Sequence, residues 1–456
     1  MNHSSCAQKL RNKVYESGDL PIDLRKKRLE KLRDVIRKKE VLINQGLKAD
    51  LGKSAFESYL TESGYILEEL KFTLKHLASW THPQKVKTPI RLYPGRSKIY
   101  PSAYGVVLII SPWNYPLQLA LLPLISAFAA GNRIVLKPSE LSGHTSRVIR
   151  EIVEEVFQDD EVIVVTGGIQ ETEALLKEKW DYIFFTGSSS VGKIILKSAA
   201  ENLTPVTLEL GGKSPCLVEE SANLEVAAKR CVWGKFLNAG QTCVAPDYVL
   251  IPRKHQDEFI KKIGFYIDAF YGKDIRTSND YSRIIDEKNF DRLKNLLHSS
   301  VKIVNPTQDC REEKFFPPVI LKDITWDDEI MREEIFGPIL PVIPYDNLEE
   351  VIRKIVSRPR PLAFYLFSEN KKIKEDIIKK VPFGGGCVND TVLHLANPFL
   401  PFGGVGASGF GSYHGKKSFE TFSHFKSVFE NGSRLDVPVR YPPYEGKLSW
   451  LKSFLR

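Results

Sequence analysis

Cysteine is scarce in this chain of 456 residues, which holds only Cys6, Cys216, Cys231, Cys243, Cys310 and Cys387. No two stand in a C-x-x-C pair, and their spacing suits neither a zinc site nor a disulfide framework. So few thiols in so long a chain point to a reducing compartment. Long apolar runs are missing too. The most apolar stretch, LQLALLPLISAFAA, contains a Gln and a Pro and is too short to span a bilayer. The opening MNHSSCAQKLRNKVYESGDL lacks the apolar centre of a secretory signal. A soluble, cytoplasmic protein is the expectation. No block of five like charges occurs, so the net charge of +9 predicts solubility and a weak pull on anionic ligands, not a nucleic-acid partner. The nine histidines show no H-E-x-x-H or H-x-x-E-H spacing, and no metal is expected. No G-x-S-x-G follows a strand, which disfavours a serine hydrolase.

What is present reads as an α/β protein. Hydrophobic residues at 42% supply ample core, and the length suggests about two to four domains. Residues 22–48 carry Leu29, Leu32, Val35 and Ile36 at helical spacing, and a second helical pattern covers 55–79. A proline-rich segment at 83–101 follows. Its Pro94-Gly95 pair predicts a β-hairpin with a type II turn. From 105 to 220, the apolar runs GVVLII, RIVLK, VIVVT, YIFFT and PVTLEL alternate with helical patterns near 117–130, 143–157, 170–178 and 190–201. Apolar strands alternating with helices predict a parallel sheet covered on both faces. A second alternation runs through PCLVE, a helix at 223–238, YVLI and a helix at 255–271. The last 50 residues read as loops and short elements.

Four clusters can carry chemistry. In YIFFTGSSSVGK a strand meets a glycine turn and a helix start, where free N–H groups suit a pyrophosphate; a plain strand-to-helix turn is the alternative. In RIVLKPSE, Lys137 and Glu140 stand past a strand end, where ribose hydroxyls bind in open α/β sheets, or form a surface ion pair. In LELGGKSP, Glu209 ends an apolar strand beside Gly211 and Gly212. Partial desolvation raises such a carboxylate toward the range of a general base; an exposed strand-end Glu is the alternative. In FLNAGQTCVAP, Cys243 sits among small and polar residues. At a loop-to-helix boundary its thiolate gains from nearby N–H groups, whereas most lone cysteines are inert and buried.

Taken together, the motifs are more specific than any one. PWNYP (112–116), KPSE (137–140), FTGS (185–188), LELGGKSP (208–215), NAGQTC (238–243), EEIFGP (333–338) and PFGG (401–404) occur in that order. This pattern resembles the aldehyde dehydrogenase superfamily over essentially the whole chain to about residue 428. GQTCVAPDY and GSYHGKKSFETFSH are similar to the class 3 branch, which includes fatty and aromatic aldehyde dehydrogenases.

The resemblance implies Cys243 as nucleophile, Glu209 as general base, and Asn114, with the Cys243 N–H, as oxyanion donor. It implies a cofactor site from Trp113, Lys137, Glu140, Gly187, Ser188, Val191, Glu334 and Phe336. Tyr115, Trp233 and His414 fall at substrate positions. The cofactor expected is NAD, with NADP possible, because the Glu140 carboxylate repels a 2′-phosphate. The implied fold has a Rossmann-type cofactor domain (1–82 and 102–208), an α/β catalytic domain (209–410), and a small β bridging element with the C-terminal tail (83–101 and 411–456). A strand near 424–435 belongs to that element, which joins a homodimer. The tail, GKLSWLKSFLR, cannot span a membrane; it packs on the partner subunit, frays, or makes weak peripheral membrane contact.

The implied reaction is NAD(P)-dependent oxidation of medium- or long-chain aliphatic, or aromatic, aldehydes to carboxylic acids through a Cys243 thioester. Two donors aimed at the developing oxyanion contribute roughly 3 kcal/mol each. Glu209 favours hydrolysis of the thioester over CoA acylation. The other readings are a CoA-acylating enzyme, a cofactor-independent ester or thioester hydrolase, and a non-catalytic binding protein.

Overall fold

The apolar run VVLII at 106–110 is buried at every residue, and its side chains divide by parity. Val107 and Ile109 join one core with Leu32, Leu70, Leu121 and Ile149, while Val106, Leu108 and Ile110 join another with Leu10, Leu175 and Ile195. Successive strand residues point to opposite faces, so a wholly apolar strand needs helices on both. The computed structural model describes residues 6–297, 302–303, 308–436 and 438–454.

In chain order the strands are β1 Gln84–Val86, β2 Arg96–Ala103, β3 Val106–Ile110, β4 Arg133–Lys137, β5 Val162–Val164, β6 Tyr182–Thr186, β7 Val206–Glu209 and β8 Pro215–Val218. Then follow β9 Tyr248–Pro252, β10 Lys302–Ile303, β11 Val319–Lys322, β12 Ile339–Tyr345, β13 Ala363–Phe367, β14 Gly385–Val388, β15 Gly409–Phe410 and β16 Ser423–Glu430. A six-stranded sheet has the order β15-β7-β6-β3-β4-β5. Its strands are parallel except β15, whose Gly409 lies opposite Glu209. The chain runs outward through β3, β4 and β5, then returns to lay β6 on the other side of β3. That reversal is the switch point where doubly wound sheets bind ligands. A seven-stranded sheet, β10-β11-β12-β9-β8-β13-β14, holds the second alternation.

Three local expectations need correction. The helix expected over 22–48 is two helices, Ile22–Lys38 and Glu40–Leu51, broken at Lys39 (φ −95°, ψ 13°). The second packs Ile43 and Leu47 inward and seats Gly46 against the backbone of Thr145. The hairpin before β3 exists, with β1 antiparallel to β2, but its turn is not type II. The Gly95 N–H bonds to the Leu92 carbonyl, so Pro94, after a cis peptide, takes the third position of the turn. The third concerns Cys243 and is given below.

Strand β16 pairs with β2 along its whole length, completing a three-stranded sheet with β1. Much of β16 is exposed, including Val428 and Phe429. Among the described residues no helix is long and apolar enough to cross a membrane, and no cluster of His, Cys, Asp or Glu could hold a metal ion.

Candidate active site

Neighbouring strands of the six-stranded sheet end in polar residues. Lys137 ends β4, Ser111 follows β3, Thr186 ends β6 and Glu209 ends β7. Lys137 is buried, donates from Nζ to the Pro138 carbonyl at 3.0 Å, and lies 3.5 Å from Glu140 Oε2. Burial lowers its pKa and Glu140 opposes that. The Ser111 and Thr186 hydroxyls and both Glu209 carboxylate oxygens are buried and have no hydrogen-bond partner among the described residues. Unpaired buried oxygens are costly, about 1–3 kcal/mol each, and three adjacent strand ends present them. Burial alone raises Glu209 well above the ordinary carboxylate range. The alternative of an exposed strand-end Glu does not apply, since Glu209 is 2% exposed.

The turn after β6 places Gly187 where a Cβ would lie 2.5 Å from the Phe185 ring. Ser188 caps the helix Ser189–Glu201, its hydroxyl accepting the Val191 N–H at 3.4 Å. From there a cleft of about 400 Å³ runs past Ser188 and Gly211 to Glu334, with Lys213, Arg332 and Arg358 on its walls. A Cβ on Gly211 would come within 1.9 Å of Glu334 Oε2, so only glycine admits this carboxylate. The N–H of Gly212 binds it, yet burial, with Asp247 nearby, pushes Glu334 up to about 8. Two residues on, Phe336 stands edge-on to Trp113, ring centres 5.4 Å apart.

Cys243 arrives by a strained path. The helix Leu224–Phe236 gives way to Asn238 (φ 53°), Ala239 (φ 51°) and Gly240 (φ 74°), all left-handed. The expected helix start at Cys243 is absent. The residue lies in a turn closed by the Ala245 N–H on the Thr242 carbonyl at 3.0 Å. The tight loop reverses the chain before β9, leaving no room for a helix. The N–H groups of Cys243 and Val244 do favour the thiolate, but burial and then the Glu334 and Glu209 carboxylates outweigh them and push the thiol up to about 12. Asn114, in the loop after β3, is buried, and its side-chain amide donates to the Gln241 carbonyl at 3.0 Å, two residues before Cys243.

A second cavity, of about 160 Å³, reaches Cys243 past Tyr115, Trp233, Phe402 and His414. The three residues at substrate positions thus line one space with the cysteine. His414 is held neutral by burial, its pKa near 3. Lys137, Glu140 and Glu209 line neither of these two cavities. Sequence reasoning missed other wall residues, among them Tyr65, Val392 and Tyr413. It also missed a buried ion pair behind the loop, Lys53–Glu62 at 2.7 Å. The available signal was Glu62 standing in register with the apolar stripe of Ile66 and Leu70.

A profile of the aldehyde dehydrogenase family matches residues 5–428. The chain belongs to this family. The 4,4'-diaponeurosporen-aldehyde dehydrogenase of Staphylococcus aureus (strain NCTC 8325 / PS 47) is 48% identical over 436 residues, 95% of each chain. The mouse dimeric NADP-preferring aldehyde dehydrogenase is 42% identical, covering 98% of this chain and 99% of the relative. The substrate-bound structure of Staphylococcus aureus AldH superposes with a TM-score of 0.97 at 46% identity, covering 99% of each chain. As an aldehyde dehydrogenase the protein is an oxidoreductase that oxidises aldehydes with NAD or NADP. The residues present fit such a cofactor: unpaired oxygens at three strand ends, a capped helix start, and a glycine-lined cleft.

Proposed function

We propose that this aldehyde dehydrogenase converts apolar aldehydes, medium- or long-chain aliphatic or aromatic, to carboxylic acids by covalent catalysis at Cys243. The observation that carries the reading is the position of this thiol. It lines an uncharged, largely apolar channel and lies within electrostatic reach of both Glu209 and Glu334. Lys137 and Glu140 would hold the adenosine ribose, and Gly187, Ser188 and Val191 would border the cofactor. Glu334, Phe336 and Trp113 would hold its nicotinamide end.

The Cys243 thiol is protonated at neutral pH, so its proton must pass to a carboxylate before attack. The sulfur bonds to the carbonyl carbon, and the π pair moves onto oxygen. Asn114 Nδ2 and the Cys243 N–H hold that oxyanion. The chemistry NAD(P)⁺ supplies when bound is acceptance of hydride from the same carbon. Glu209 then takes a proton from water, whose oxygen attacks the thioester. The C–S bond breaks, releasing the carboxylic acid. Removing water contact from Glu209 makes it a stronger base, which suits this step.

We divide the chain into a cofactor domain (1–82 and 102–208), a catalytic domain (209–410) and a bridging element (83–101 and 411–456). The exposed Val428 and Phe429 of β16 support a homodimer joined along this sheet. The tail helix Leu448–Phe454 exposes Leu448, Trp450 and Leu451, which we assign to packing on the partner subunit in a cytoplasmic dimer. The test is cofactor reduction at 340 nm with NAD and NADP across aldehydes of graded length. Turnover should rise with apolar chain length and disappear in Cys243→Ser. Undiminished turnover in that variant would sink the reading.

A further inference from the structure

Two acids and a lysine lie buried behind the Cys243 loop, and no step above uses them. Lys53 Nζ donates to Glu62 Oε1 at 2.7 Å and to the main-chain carbonyl of Asn114 at 3.2 Å. The same ammonium lies 4.0 Å from the centre of the Tyr115 ring. A π-helical turn, Tyr59–Ser63, carries Glu62 inward, where its Oε2 accepts the Gln118 N–H at 2.8 Å. Glu57 accepts the Asn238 N–H at 2.9 Å and the Ser282 hydroxyl at 3.2 Å. Burial raises the pKa of both Glu57 and Glu62, and Lys53 opposes the rise. A buried ion pair contributes little net stability, so its geometry is the more informative property.

That geometry converges on the reacting loop. The Asn114 carbonyl accepts from both Lys53 and the Asn238 amide, the latter at 2.8 Å. The Asn114 amide itself donates to the Gln241 carbonyl. The Tyr115 hydroxyl lies 2.6 Å from Thr242 Oγ1. Lys53 therefore grips residues 114 and 115, each of which bonds to the chain one or two residues before Cys243.

We propose that Lys53 is a positioning residue for aldehyde oxidation: by holding the Asn114 carbonyl and the Tyr115 ring, it aims the Asn114 amide at the oxyanion formed on Cys243. The inference rests on the oxyanion role given to Asn114 above. Lys53 touches no reacting atom and acts only through its neighbours, so its effect must vanish when the Asn114 amide is gone.

The test is a double-mutant cycle in the full-length enzyme. Lys53→Met with Glu62→Gln removes both partners of the buried ion pair and is placed in the wild-type and Asn114→Ala backgrounds. The readouts are the pre-steady-state burst of reduced cofactor and the dissociation constant of NAD. In the Asn114 enzyme the burst should slow by about tenfold or more, with NAD affinity within about twofold. In the Asn114→Ala enzyme the same change should cost less than about twofold. Equal losses in both backgrounds, or no loss in either, would overturn the inference. A normal burst in Asn114→Ala alone would instead defeat the oxyanion role, and the inference with it. If the double substitution does not fold, Glu62→Gln alone enters the same cycle, decided by the same two outcomes.

Discussion

The cleft bounded by Ser188, Gly211 and Glu334 and the channel bounded by Tyr115, Trp233 and Phe402 have opposite chemistry, and of the two it is the channel that Cys243 lines. The cleft is made from strand ends, a helix start and glycines, with basic side chains on its walls. The channel is made from large apolar and aromatic side chains, and none of its lining residues is charged. A charged dinucleotide suits the first, an apolar aldehyde the second. Under the proposed function each side would owe its selectivity to a different physical quantity: backbone approach and basic side chains in the cleft, shape and desolvation in the channel.

That division can be broken by substitutions on either side. The largest effect is expected at Glu209, to which the proposed mechanism assigns the hydrolytic step. Glu209→Gln should keep a burst of reduced cofactor and lose steady-state turnover by about 10³-fold. A vanished burst with the protein folded would mean that Glu209 is also needed for addition. Next is Gly211→Ala. The added methyl would overlap Glu334, lowering kcat by about 10²-fold and weakening cofactor binding, while the aldehyde KM stays put. On the channel side, Trp233→Ala should lower the preference for long over short aldehydes by about tenfold and leave the cofactor KM unchanged. Steady-state kinetics over an aldehyde series checks both, and crossed effects would show that the two sides are coupled.

The smallest effect concerns stability behind the channel. Glu69 accepts the Gly415 N–H beside His414, and burial raises it from 4.5 to about 7. An acid with a raised folded-state pKa binds more protons folded than unfolded. Stability is then full below about pH 4.5 and falls as pH rises through about 7. Glu69→Gln should remove this loss, raising stability at pH 8 by about 3 kcal/mol, several degrees in Tm, with little change near pH 4. Thermal unfolding at both pH values decides it.

The cleft was the more legible side. Residues such as Ser188, Gly211 and Gly212 sit in short motifs that follow strand ends, and the alternation of apolar runs places those ends. The channel was read only through the family resemblance, which named Tyr115, Trp233 and His414. Its other walls, such as Tyr65 and Val392, sit in segments that look like ordinary helix or loop. The break at Lys39, the turn at Pro94 and the left-handed residues before Cys243 escaped notice for another reason. Each is imposed by what the segment packs against, and local propensity does not record it.

The sequence by itself determined the strand–helix alternation, the two faces of the central sheet, and the polar residues at the strand ends, because periodicity of two or 3.6 residues is a local property of the chain. Only the tertiary structure decided that Cys243 meets Glu334, Glu209 and a channel drawn from residues 60 to 414, and that Lys53 lies beneath Asn114. Desolvation and electrostatic fields sum over everything nearby in space, so the ionisation of Cys243, Glu209 and Glu334 is fixed by neighbours the chain brings from far away.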